Sequence, residues 1–392
     1  MNPAMRRPLA AITTVTAILL VACGSTVQPA ASTLPSTSAS AGQAPLAAAS
    51  GWQARWNQAL AAAEKEGKVT VNGPPGDPVR KSLTAGFEKA YPGITLDWSG
   101  GRGGEEATKL EADRRAGVYA LDVLVQGTTT IMNQIVPIKA ADPIRPVLIL
   151  PEVTDTSAWR DNHLEFADKD QHDLVFTTLA SPQLIYNAAQ VKPAEIQNLN
   201  DLLNPKWKGK IVINDPIPSG AGNVEFRWLW EVLGPDKAPD FMRKLKAQAG
   251  TVSRDQRQQV EWIARGTYAI ALAPSVGVLA PLAKQGLKFG VLADFKDEGS
   301  YTSASFGSLA LISKAPHPNA ATVFVNWLLS KAGQTAYSTA MQATSRRLDV
   351  PTNDLPSYVI PKQGVKYWAS YYEQEVKTPA GLAKVLKDIF PE

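Results

Sequence analysis

Short apolar strands alternate with amphipathic helices in two separate blocks of this chain, and that alternation narrows the possible folds more than any other feature. In the first block, Val69-Thr70-Val71 reads as a strand. Asp77-Pro78 then gives an N-cap and a first-turn proline to a helix with Leu83, Phe87 and Tyr91 on one face. Pro92-Gly93 stops that helix, residues 94–98 read as a second strand, a helix covers about 105–116, and residues 121–125 are a third strand. Parallel neighbours need long crossover connections, so strand, helix, strand, helix, strand predicts a parallel sheet covered by helices on both faces. The second block offers a strand over 210–214 and a break over 215–220. A Trp- and Leu-bearing helix follows through Leu233, then a helix over about 255–265 and a strand over 268–272. Ahead of both blocks, Trp52, Trp56, Leu60 and Ala63 recur at helical spacing before Gly67. The blocks share no sequence repeat, so the expectation is an α/β fold of two lobes of similar size.

The amino terminus is of a different kind. Arg6-Arg7 precedes an apolar stretch, interrupted by threonines, that ends in Leu20-Val21-Ala22-Cys23-Gly24. It is too short to span a bilayer comfortably and has the layout of a secretory signal, here over 1–22. The cysteine at its end is similar to that of a bacterial lipobox, which implies lipidation of Cys23 and an extracytoplasmic protein anchored by lipid rather than spanning. Residues 23–50, almost entirely Ser, Thr, Ala, Pro, Gln and Gly after the cysteine, read as a flexible tether, because such a composition buries little apolar surface.

The chain has 392 residues, enough for two domains and a substantial core, and its composition of 44% hydrophobic and 19% charged residues is that of a globular protein. Its formal net charge of +4 is close to neutral and argues against nucleic acid as a partner. Cys23 is the single cysteine, so its acylation leaves no thiol for a disulfide or a thiolate metal site. The three histidines, His163, His172 and His317, show no metal-ligand spacing. No nucleophile motif of the Gly-x-Ser-x-Gly kind occurs, and Glu105-Glu106 point to different sides of a helix. The expectation is a monomeric binding protein without cofactor, metal or catalytic residues.

Ligands of open parallel sheets sit at the carboxyl ends of the strands, where loops meet helix N-termini. The corresponding loops are residues 72–76, 99–105, 126–129, 215–222 and 274–275, rich in Gly, Ser, Thr and amides. Backbone N–H groups beside hydroxyls hold an anion without requiring a charged side chain. The ligand-binding candidates are therefore Asn72, Gly73, Ser99, Gly100, Gly127, Thr128, Ser219, Gly220, Ala221, Gln256 and Ser275, with Arg102 and Arg254 available to add charge. For the glycine-bearing turns, a plain connection between strand and helix stays open as an alternative.

Four stretches carry a resemblance to the extracellular solute-binding proteins of ABC importers, in the group that includes ferric-ion-binding proteins. They are residues 69–76 with Phe87-Glu88-Lys89-Ala90-Tyr91-Pro92-Gly93-Ile94; residues 99–110 ahead of Leu121-Asp122-Val123; Leu202-Leu203-Asn204-Pro205-Lys206-Trp207-Lys208-Gly209-Lys210-Ile211; and residues 320–334 with Leu328-Leu329-Ser330 and Gly333-Gln334. The resemblance implies a type II periplasmic-binding-protein fold: two lobes joined by crossing strands, closing on one solute and presenting it to a membrane permease. It puts lobe one at 52–180 and 300–345, and lobe two at 181–299 with the C-terminal helices at 346–392. Residues 181–187 and 306–310 resemble the crossing segments. The iron ligands of ferric-binding relatives correspond to Pro75, Gly127 and Val276-Gly277, none of which binds hard Fe³⁺, whereas the stretch that holds their synergistic anion resembles Ser219-Gly220-Ala221. The implied solute is a small anion such as a phosphonate, phosphate ester or carboxylate. Alternatives are ferric iron or an iron chelate as cargo, a tethered surface hydrolase, and an adhesion lipoprotein. Tyr367, Trp368, Tyr371 and Tyr372 are expected to form a packing stripe on a tail helix rather than iron ligands or a sugar platform.

Overall fold

Three stretches of the chain, residues 51–101, 103–218 and 220–391, are described by the structure, a computed structural model. The signal, the tether, Cys23, Arg102 and Ser219 lie outside the described residues.

The first block folds as its periodicity predicts. Helix α1 (Gly51–Glu66) leads into β1 (Lys68–Gly73), α2 (Asp77–Ala90), β2 (Thr95–Gly100), α3 (Gly103–Arg115) and β3 (Val123–Gln126). β1 pairs in parallel with both β2 and β3. One detail differs at the start of α2. Gly76, at φ +123°, holds the cap position, and Asp77 is the first helical residue, its carboxylate ion-paired with Arg80 at 2.8 Å. β14 (Ser308–Ile312) continues the sheet antiparallel to β3, joined by β4 (Ala141–Asp142), β6 (Leu174–Val175) and β5 (Glu165–Phe166) in the order β2-β1-β3-β14-β6-β5, with β4 on β14. Beneath it, α9 (Pro318–Leu329), α2 and the short turn α5 (Pro151–Thr154) bury Phe87, Phe324, Val153 and Trp159 in the first core.

The second block forms a five-stranded sheet, β10-β9-β11-β8-β12, from β8 (Leu184–Tyr186), β9 (Ile211–Asn214), β10 (Ala249–Ser253), β11 (Ile270–Leu272) and β12 (Gly290–Leu292). β9, β10 and β11 run parallel, and β8 is antiparallel to β11. Its helices are α6 (Ala221–Gln248), α7 (Gln256–Arg265) and α8 (Val276–Lys284). α6 breaks where its predicted stretch ends, at Gly234, with φ +76° and a proline following. Trp228, Phe241 and Leu245 of α6 and Leu382 and Leu386 of α11 (Ala380–Ile389) fill the second core.

The connection between the two sheets is a small sheet of its own. β7 (Leu179–Ser181) pairs antiparallel with β13 (Ser300–Ser303), which pairs in parallel with β15 (Tyr367–Ala369). Residues 184–186 and 308–310, assigned in part to the expected crossing segments, belong instead to the five- and seven-stranded sheets, and the strands that pair across lie a few residues earlier in each case. β15 also corrects the tail: Tyr367 and Trp368 stand in a strand, not a helix. The aromatic side chains suit a pleated surface, and a free strand edge at β13 decides between the two states.

The end of lobe one moves as well. Arg346 and Arg347, expected beyond it, pack against the first core. Arg346 is ion-paired with buried Glu165 at 2.8 Å, and Arg347 bridges to Trp159 and donates to the Glu152 carbonyl at 2.7 Å. Tyr371 and Val376 pack with Met132 and Val175 of the first body. Burying an arginine demands a carboxylate and carbonyl acceptors, and the first body supplies both.

Candidate functional site

Parallel topology sets where the site lies. After each parallel strand the chain stands at the sheet's carboxyl edge, so α2, α3, α6, α7 and α8 all begin there. So does α4 (Thr128–Thr130), which continues as a wider π turn to Ile135. Between the two bodies lies a cavity of about 600 Å³, into which the starts of four of these helices open. Gly103-Gly104-Glu105 opens α3; Gly127, Thr129 and Thr130 stand at the start of α4; Gly220-Ala221 opens α6 and Ser275-Val276-Gly277 opens α8. Ser181 of β7, Tyr301 and Ser303 of β13, and Ser305 add hydroxyls from the crossing segment.

Two glycines make these turns possible. Gly220 holds φ +149° at the cap of α6, a conformation closed to other residues. A side chain on Gly127 would meet the Ser305 carbonyl at 2.8 Å, so only glycine lets the start of α4 approach the crossing segment. Each helix start leaves its first N–H groups without an intrahelical acceptor and carries partial positive charge. Among the described residues, the lining holds no lysine, arginine or histidine, and Glu105, exposed, is its only carboxylate.

Of the sequence candidates, Gly127, Gly220, Ala221 and Ser275 come together in this cavity. Asn72, Gly73, Ser99 and Gly100 do not line it. Strands β1 and β2 run on through Gly73 and Gly100, in register Asn72 to Ser99 and Gly73 to Gly100, so these residues are strand rather than loop. Asn72 donates to Ser99 Oγ at 3.1 Å and accepts from Gln126 Nε2 at 2.9 Å. Asn72 thereby fixes Gln126, which does line the cavity and whose Oε1 has no partner among the described residues. Thr128 is buried, its hydroxyl 2.6 Å from that of Ser308. Arg254 bonds Asp215 at 2.6 Å and lines a different hollow, with Arg243 and Lys246; Gln256 lies in the first turn of α7 and is not part of the cavity lining. Both follow β10, the edge strand of its sheet.

Gln134, Ser181, Tyr301, Ser303 and Ser305 were not anticipated. The hydroxyl-rich run Ser300-Tyr301-Thr302-Ser303-Ala304-Ser305 was the available signal. Tyr301 is buried beside Glu225 and Ser181, and burial raises its phenol well above its ordinary range. The histidines are engaged elsewhere: His172 with Asp168 at 2.8 Å, His317 with Asp122 at 2.9 Å, and His163 with Glu165 at 3.1 Å. Among the described residues no cluster of three or more His, Cys, Asp or Glu could hold a metal, and no helix is long and apolar enough to cross a membrane.

Two sheets of the β2-β1-β3 type, joined by crossing strands around one cleft, define a type II periplasmic binding protein. Residues 82–360 match the bacterial extracellular solute-binding protein family, and the chain belongs to it. Its family is one of extracellular solute-binding proteins, and this family and its structural neighbours are binding proteins rather than enzymes. Iron uptake protein A1 of Synechocystis sp. is 23% identical over 161 residues, 38% of this chain; the match spans only 44% of that relative. Three solved structures share the fold. FutA of Trichodesmium, in complex with iron and citrate, superposes with a TM-score of 0.66 at 19% identity, covering 83% of this chain and 100% of its own. AfuA of Actinobacillus pleuropneumoniae, with fructose-6-phosphate bound, gives 0.61 at 18% identity, covering 83% and 96%. Iron-bound HitA of Pseudomonas aeruginosa gives 0.64 at 17% identity, covering 82% and 99%.

Proposed function

We propose that this receptor captures a small anion, a phosphonate, phosphate ester or carboxylate, between its lobes, and that it does so from a lipid anchor at Cys23. The carrying observation is the convergence of four helix starts from both bodies on one cavity without a basic side chain among the described lining residues. Such N-termini satisfy an anion with main-chain N–H groups and dipoles. Two of the similar structures hold anions of this kind, citrate with iron in one and fructose-6-phosphate in the other. Iron as cargo fits less well. Pro75, Gly127 and Val276-Gly277, the positions matched to iron ligands, line the cleft and its neighbouring cavity, but they offer no imidazole, carboxylate or phenolate. In this reading lobe one comprises 52–180 and 300–350, lobe two comprises 181–299 and α11, and β7 and β13 are the hinge.

The test is a thermal-shift panel of phosphonates, phosphate esters and carboxylates on the purified protein. A ligand at 100 times its dissociation constant adds about 2.7 kcal/mol, a shift of several degrees. A panel without any shift ends the anion assignment, and a coloured, iron-loaded preparation turns it toward ferric cargo. The anchor is tested separately by Cys23→Ser, which is expected to move the protein from the membrane fraction to the soluble one. Equal partitioning of the variant and the natural protein would remove the anchor.

A further inference from the structure

Adjoining the polar cavity is a second one, of about 320 Å³, lined mainly by apolar atoms. It is walled by Val79 of α2, Ala280 and Pro281 of α8, Ala340 and Met341 of α10 (Lys331–Met341), and Phe306 of the crossing loop. None of its described lining residues is an acid, lysine, arginine or histidine. The two cavities share Leu179, Ser275, Val276, Gly277, Ser305 and Phe306, so the first turn of α8 and the Ser305-Phe306 bend face both. The apolar space is fixed from behind: Tyr337, buried on α10, donates to the Phe306 carbonyl at 2.7 Å.

An inorganic anion has no use for such a space. Small-molecule sites combine a few polar groups that orient the ligand with an apolar wall that supplies binding energy, in volumes of roughly 300 to 1,000 Å³. The geometry points to an amphiphilic solute: an organic anion whose head sits among the helix starts and whose alkyl or aryl substituent lies in the apolar cavity between α8 and α10. This rests on the anion reading above and adds the class of substituent. The substituent touches α8 from the second body and α2 and α10 from the first, so it also favours the closed state.

The probes are methyl-, propyl-, hexyl- and phenylphosphonate, with acetate, butyrate and heptanoate as a carboxylate series, titrated calorimetrically against the full chain. Affinity is expected to rise about fourfold per methylene until the cavity is filled. Filling the space with Ala280→Phe is expected to flatten that rise; Ala340→Leu, on the opposite wall, is the second variant should the first fail to fold. Methylphosphonate or acetate binding with no gain along the series overturns the amphiphilic inference and leaves the anion receptor standing. A gain that both folded variants leave intact places the substituent elsewhere and also overturns it. No binding by any probe, short or long, removes the anion reading and this inference with it.

Discussion

Aspartate in place of Ala221 is expected to abolish anion capture while leaving the melting temperature unchanged or slightly raised. Ala221 is the first residue of α6 and lines the polar cavity beside Gly220. A carboxylate in the first turn of a helix interacts favourably with the N-terminal dipole, by about 0.3–1 kcal/mol, so the fold gains rather than loses. The same carboxylate stands where the anion must sit, and like charges brought together in a desolvated site cost several kcal/mol. A penalty of about 2.7 kcal/mol is already a 100-fold loss of affinity. Ala221→Asn, similar in shape but neutral, is expected to retain most of the binding, which separates charge from bulk. Calorimetric titration with the best ligand of the panel reads the affinity, and a melting curve reads the fold. Binding by Ala221→Asp within threefold of the natural protein would mean that the solute is neutral, cationic or bound elsewhere.

How much of this was legible beforehand follows from how local each signal is. Helix ends were readable where one side chain or one glycine decides them. Asp255 accepts from the Gln258 N–H at 2.9 Å to start α7, Gly266 closes it in the left-handed conformation, and Gly234 breaks α6. The parallel strands were readable from apolar runs that β sheets bury on both faces. Strand ends were not, because pairing with a neighbour carries β1 and β2 two residues past the point where composition turns loop-like. That single effect turned Asn72 and Ser99 from ligand contacts into supports for Gln126. The β15 strand was hidden for a related reason: its state is set by the edge of β13, which lies over 60 residues away in sequence. Loops following β2, β3, β9 and β11 became the site, whereas the loop after β10 did not, and strand order is a property of the whole sheet rather than of any segment. Tyr301 was missed because its role depends on Glu225, a partner on another element.

The Glu225 partnership leads to a pH dependence of stability that is expected to be large. Glu225 is fully buried on α6, against Gln183 in the link between β7 and β8. Gln183 donates its amide N–H to Glu225 Oε1 at 2.7 Å, and its amide oxygen accepts from Ser300 Oγ at 2.9 Å. Burial pushes the Glu225 carboxyl well above its ordinary range. Burial does the same to Asp173 beneath β14. For a carboxyl raised in the folded state, the native protein keeps a proton that the unfolded chain releases above pH about 4.3. Its stabilisation is complete below that pH and is lost as pH rises toward the folded value, by about 1.4 kcal/mol per unit per group. Glu225→Gln keeps an oxygen that accepts from Gln183 and cannot ionise. The variant is therefore expected to match the natural protein near pH 4 and to exceed it by a margin that widens toward neutrality. Asp173→Asn is expected to add a separate increment, since the two groups share no partner. Urea unfolding across pH 4 to 8 measures both; profiles that run parallel for Glu225→Gln and the natural protein would show that burial does not raise this carboxyl in the fold.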